Sequence, residues 1–86
     1  MNYLERLSSG DVKTICELIG PRELKQNFKK NVKWFNYVKP GFRPDRVSNE
    51  QAIEITVDNV FRPFVSDFLN EKIKILMDKI ADEKET

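Results

Sequence analysis

A long run of apolar residues at helical spacing near the carboxyl end of the chain restricts its fold more than any other feature. Apolar side chains recur there at steps of three and four residues over about five turns, at Phe64, Val65, Phe68, Leu69, Ile73, Leu76 and Ile80. Pro63 fits the first turn of such a helix, because that turn leaves its N–H groups without helical partners. The pattern predicts a long final helix that is the main packing element of a helical fold.

Shorter segments upstream show the same spacing and carry signals for helix ends. Residues 3–7 predict a short first helix that ends at Ser8 and Ser9. Ser9 is the expected N-cap of the next helix, whose apolar positions are Val12, Ile15, Cys16 and Ile19. Gly20 followed at once by Pro21 predicts a C-terminal glycine with positive φ and a tight corner into a further helix.

The helix after this corner is expected to start near Arg22 and to carry an apolar face and a basic face. Its apolar stripe consists of Leu24, Phe28, Val32 and Phe35. Asn31 and the β-branched Val32 are weak helix formers, so we expect a break near Lys30 and a new start at Trp34.

Residues 39–47 are predicted to form an irregular surface loop, since two prolines and a Pro-Gly pair interrupt regular structure. Ser48 and Gln51 then form a capping-box pattern that predicts a helix. Residues 50–58 also alternate in the manner of a strand, but the only candidate partner strand, residues 32–38, fits the helical stripe better. We therefore favour a helix that ends in a turn at Asp58 and Asn59.

The 86 residues predict one small domain, with 40% hydrophobic residues to build a core and 34% charged residues to cover it. The expected fold is mainly α, a compact bundle of four or five helices over residues 1–86 with a Pro/Gly-rich surface loop. The alternative is an α+β fold with a small two-stranded antiparallel sheet.

Composition argues against most enzyme classes. The chain has no histidine and one cysteine, which removes the commonest general base, a disulfide framework and the usual zinc ligand sets. Cys16 lies in an apolar stripe, which is typical of a buried core thiol. Glu50, Glu54 and Asp58 share one helix face, but magnesium would need ligands that this pattern does not supply. We expect a non-enzyme without a metal or cofactor.

The chain shows no apolar run after a basic start and nothing close to the roughly 20 apolar residues of a membrane span. A lone cysteine is also typical of a reducing compartment. These features predict a cytoplasmic protein without a membrane contact.

Positive charge is concentrated between residues 21 and 46, where eight basic residues face two acidic ones for a local net charge of +6. The flanking stretches are net acidic, so the total of +1 conceals an internal polarity. Basic residues of this stretch recur on one helix face and continue into the loop, interleaved with aromatic residues. The candidate binding residues are Arg22, Lys25, Lys29, Lys33, Trp34, Tyr37, Lys39, Phe42, Arg43 and Arg46.

Three hypotheses explain this basic stretch, beside plain solvation of its charges. The first is docking on a protein, as a small adaptor, inhibitor or accessory subunit of a larger complex. The second is nucleic-acid binding, with cations on phosphates and exposed aromatic rings stacked on bases. The corner at Gly20 resembles those of DNA-binding helical hairpins, although Leu18 stands where a second glycine belongs. The third is pairing with the acidic part of the same fold or of a second copy, and pairing with a second copy predicts a homo-oligomer.

Overall fold

Five α-helices and two short 3₁₀ helices make up the described part of the chain, which contains no strand. The computed structural model describes the backbone of residues 3–85 and the side chains of residues 3–82. The α-helices are α1 (Ser9–Ile19), α2 (Pro21–Lys30), α3 (Val32–Val38), α4 (Asn49–Asp58) and α5 (Pro63–Glu85). The mainly α prediction is confirmed, and residues 50–58 lie in α4 rather than in the sheet of the alternative fold.

Two capping boxes fix where α1 and α4 begin. At α4, Ser48 Oγ accepts the Gln51 N–H at 3.1 Å and Gln51 Oε1 accepts the Ser48 N–H at 3.0 Å, as the sequence predicts. At α1 the N-cap is Ser8 and not Ser9. Ser8 is favoured because it exchanges the same pair of hydrogen bonds with Asp11, three residues further on.

Two segments form 3₁₀ helices. The first, Tyr3–Arg6, is the predicted short first helix, and it is a single 3₁₀ turn that ends two residues before the cap at Ser8. It lies against α5, where the Tyr3 N–H donates to Asn70 Oδ1 at 2.8 Å. The second, Pro44–Arg46, falls inside the predicted irregular loop, and its Pro44 is buried.

The corner between α1 and α2 is confirmed as a glycine followed by a helix-starting proline. Gly20 has φ 98° and ψ 147°, and its N–H donates to Cys16 O at 3.0 Å to close α1. Pro21 is the first residue of α2. A residue with a Cβ rarely adopts this backbone conformation, so the corner depends on glycine.

We expect Gly20→Ala to lower the free energy of unfolding by about 1 to 3 kcal/mol. A Cβ at Gly20 would meet no atom within 4 Å, so the loss comes from the backbone conformation alone. Gly10→Ala is the matched control, because the same change inside α1 should gain up to about 1 kcal/mol. Urea unfolding measures both, and a Gly20→Ala protein as stable as its parent would contradict this account of the corner.

The core lies where α1, α2 and α4 pack against the first half of α5. Its buried members are Val12, Cys16, Leu24, Phe28, Phe35, Ala52, Val65 and Leu69. α4 contacts both α1 and α2, and the small side chain of its fully buried Ala52 allows close approach to these neighbours. The short helices therefore carry much of the packing that the sequence assigns to the final helix.

A single residue, Asn31, separates α2 from α3. Its backbone has φ −120° and ψ 27°, and its side-chain Nδ2 donates to Asn27 O at 2.8 Å. The predicted break near Lys30 is confirmed, but the new helix starts at Val32 and not at Trp34.

An aromatic cluster joins α2, α3, α5 and the loop after α3. We define it by its five rings, which are Phe28, Trp34, Phe35, Phe42 and Phe64. Ring centroids lie 5.1 Å apart for Phe28 and Phe35, and 4.9 Å apart for the stacked pair of Phe35 and Phe42. Trp34 meets Phe64 edge to face at 5.1 Å. The ring of Phe42 thus anchors the loop to the cluster, although the charged residues of the loop lie on the surface.

The final helix packs on the core only as far as Ile73. Val65, Leu69 and Ile73 are buried, whereas Ile80, which belongs to the same apolar stripe, is 53% exposed. Of the other expected core residues of α5, Phe68 and Leu76 are half-buried. The described chain measures 48 Å along its longest axis against 23 and 21 Å across, consistent with an end of α5 that projects from the body. No helix within residues 3–85 combines the length and the apolar character that a membrane span needs.

Candidate interaction surface

Two of the predicted basic residues are engaged within the fold. Lys29 Nζ lies 2.7 Å from Asp45 Oδ1 in the second 3₁₀ helix, although about half of the Lys29 side chain and most of the Asp45 side chain remain exposed. Lys25 Nζ donates to Asn49 Oδ1 at 3.4 Å, at the first residue of α4. This face of α2 is therefore turned towards the loop and α4, and its cations are only partly available to a partner.

The remaining predicted cations do not form one continuous helical stripe. Arg22 is exposed in the first turn of α2, whereas Lys33 is exposed on α3, beyond the interruption at Asn31. Lys39, Arg43 and Arg46 line an open groove of about 570 Å³. Its opposite wall includes Glu54 and Asp58 of α4. Cations of the loop and carboxylates of α4 thus line the same groove.

The three predicted aromatic residues have different surroundings. The Phe42 ring is half-buried in the aromatic cluster and has little surface left for a base to stack on. Trp34 is half-buried, and the guanidinium carbon of Arg62 lies 4.9 Å from its ring centroid, within cation–π range. Tyr37 is 87% exposed.

The outer side of α3 carries a small aromatic and apolar patch, which we call the α3 patch. It consists of Trp34, Tyr37, Val38 and Arg62. The first three are neighbours on one helix face because they are spaced at i, i+3 and i+4. Val38 is 59% exposed. Sequence reasoning missed Val38, although helical spacing from Trp34 points to it, and missed Arg62, which only tertiary packing brings to the tryptophan.

A second feature is an acidic groove of about 600 Å³ between α1 and α4. Ile53 and Val57 contribute apolar surface to it. The charged residues that line it are Lys13, Glu17, Glu50, Glu54 and Asp58. The predicted row of carboxylates on α4 is therefore present on one side of a groove. No cluster of three or more metal-ligating residues occurs among the described side chains.

The only cysteine lies in the core and is shielded from solvent. Burial, with a smaller effect of the neighbouring Glu17 carboxylate, raises the pKa of the Cys16 thiol to about 11. The thiol is therefore protonated at neutral pH, and a protonated thiol is a poor nucleophile.

Comparison with models of protein families, with curated proteins and with solved structures finds no match to this chain.

Proposed function

We propose that this chain is a non-catalytic binding protein, an adaptor, inhibitor or accessory subunit that docks on a larger protein through the α3 patch. The observation that carries the proposal is the exposure of Tyr37 and Val38 beside Trp34. When a partner covers apolar surface at adjacent positions, that surface leaves water, and the free energy of the complex is lowered. We further propose that the protein acts in the cytoplasm.

The composition of the α3 patch suits a protein partner. Tryptophan, tyrosine and arginine are the residues most often found at energetic centres of protein interfaces. The guanidinium of Arg62 is already held over the Trp34 ring, so less side-chain entropy is lost when it binds. Lys33 and Lys39 lie next to the patch in sequence and are exposed. The matching partner surface is an apolar pocket with an acidic rim.

Nucleic-acid binding through residues 22–46 is the alternative function, and the concentration of cations in this stretch favours it. Its aromatic component is weakened because Phe42 is stacked on Phe35 in the aromatic cluster. The contacts of Lys29 and Lys25 with the protein's own side chains weaken its electrostatic component.

We expect Tyr37→Ala to weaken partner binding by about 30-fold or more, as the loss of an interface hot spot does. The partner is first recovered by affinity capture from the native cell, with and without nuclease, and its affinity is then measured by titration calorimetry. Phe61→Ala is the matched control, because Phe61 is 93% exposed and lies outside the α3 patch.

The same titrations separate the two candidate functions. A protein partner predicts capture that survives nuclease and an affinity that depends weakly on salt. Capture that nuclease abolishes, together with affinity that falls steeply with salt, would replace the protein hypothesis with the nucleic-acid one. Parental affinity in Tyr37→Ala would remove the α3 patch from the interface.

A further inference from the structure

The acidic groove between α1 and α4 carries unpaired negative charge. Ile53 and Val57 provide its apolar surface, and Lys13 is the one cation of its lining. The four carboxylates of the lining are Glu17, Glu50, Glu54 and Asp58. The ion pairs among the described side chains lie at α2 and the second 3₁₀ helix, and they use none of these four. The complement of this groove is therefore apolar surface flanked by cations.

The α3 patch has this complementary character. Its three neighbouring side chains on α3 are joined by the guanidinium of Arg62. Lys33 and Lys39 are exposed just before and just after the patch in sequence, and neither takes part in an ion pair among the described side chains. Residues 24–44 contain six cations and no carboxylate. No negative charge of α3 or of the chain beside it therefore opposes docking on an acidic surface.

Contact between these two surfaces needs a second copy of the chain. The Trp34 ring lies 5.0 Å from Phe35 and 5.1 Å from Phe64, and these contacts hold α3 against the aromatic cluster. The acidic groove lies between α1 and α4, and no residue of α3 lines it. The α3 patch of one copy is thus fixed away from the groove of the same copy.

Pairing of like surfaces is less favourable than docking of the α3 patch in the groove. Two α3 patches would bring Lys33, Lys39 and Arg62 against the same cations, and two grooves would bring carboxylates together. Like charges that face each other across an interface oppose association. With the patch in the groove, the cations face carboxylates.

We propose that the α3 patch docks in the acidic groove of a second copy of this chain. Each copy carries both surfaces, so a reciprocal exchange about a two-fold axis closes the assembly as a dimer with two such contacts. The dimer covers the surface that the proposed function gives to the partner, so self-association and partner binding exclude each other. This effect on partner binding rests on the proposed function, whereas the dimer itself does not.

The first test measures the oligomeric state of the full chain by sedimentation equilibrium over a concentration series. The parent should form dimers that salt weakens, because ions screen the charges of the contact. Tyr37→Ala should weaken the dimer by about tenfold or more, since it removes exposed aromatic surface from the patch. Phe61→Ala is the matched control, because Phe61 is 93% exposed and belongs to neither surface. A parent that stays monomeric up to about 1 mM, or equal effects of the two variants, would overturn the proposal.

The second test identifies the groove as the receptor by exchanging charges. Lys33→Glu with Lys39→Glu should weaken the dimer by about tenfold or more, and so should Glu17→Lys with Glu50→Lys. Mixing these two double variants should restore association. In the mixed dimer a native patch faces a native groove, and a reversed patch faces a reversed groove, so both contacts are complementary.

Asp78→Lys with Asp82→Lys is the matched control, because it reverses two exposed carboxylates near the end of α5 that line none of the grooves described. It should associate as the parent does. No recovery on mixing, or a groove variant that dimerises like the parent, would overturn the proposal. The two proposals fail separately: parental partner affinity in Tyr37→Ala would contradict the proposed function, whereas parental self-association of the same variant would overturn the dimer.

Discussion

Phe28→Ala is expected to lower the free energy of unfolding by about 3 to 5 kcal/mol, which would remove much of the stability of so small a domain. Phe28 is completely buried in α2. Its ring meets Phe35 at 5.1 Å and Phe42 at 6.1 Å, both edge to face. Truncation would leave a cavity and remove ring contacts that join α2, α3 and the following loop. Chemical denaturation followed by circular dichroism measures the loss.

Phe61→Ala makes the same chemical change at a side chain that is 93% exposed, and it should alter stability by no more than about 0.5 kcal/mol. Comparable losses in the two variants would mean that the aromatic cluster is not part of the core. Loss of the near-ultraviolet circular dichroism signal in Phe28→Ala, but not in Phe61→Ala, would support the assignment of the aromatic cluster to the core.

Most of the helix boundaries could be predicted from the sequence because local interactions determine them. The Ser48 capping box and the Gly20-Pro21 corner each depend on residues within three or four positions of each other. The prediction was wrong by one residue at the start of α1, where the N-cap is Ser8 and not the neighbouring Ser9. Both serines could act as the N-cap. Asp11 decided between them, since it lies three residues after Ser8 and can return its hydrogen bond.

The extent of the core could not be predicted, because helical periodicity does not say whether anything packs against a stripe. The spacing in α5 continues unchanged to Ile80, but the other helices cover it only as far as Ile73. Phe42 shows the opposite case. Its loop position made it a candidate for stacking on a base, yet its ring stacks on Phe35 because the loop folds back over α3.

The candidate surfaces were predictable in composition but not in arrangement. The basic stretch was evident from charge alone, but the partners of Lys29 and Lys25 lie 16 and 24 residues away in sequence. Arg62 reaches Trp34 only because α5 begins beside α3. Such contacts arise from tertiary packing and leave no periodic signal in the sequence.

The two halves of α5 should differ in how much they contribute to stability. Leu69→Ala should lower the free energy of unfolding by about 2 to 5 kcal/mol, because Leu69 is completely buried in the core. Leu76→Ala should cost about 1 kcal/mol or less, since Leu76 is only half-buried and alanine is the best helix former. Urea unfolding of both variants makes the comparison.

Hydrogen exchange gives an independent measure of the same difference. Amides of residues 65–73 should exchange only through global unfolding, while those of residues 76–82 should exchange through local opening, because the side chains of residues 77–82 are exposed. Equal protection of the two segments, together with equal losses for Leu69→Ala and Leu76→Ala, would show that the whole of α5 packs on the core.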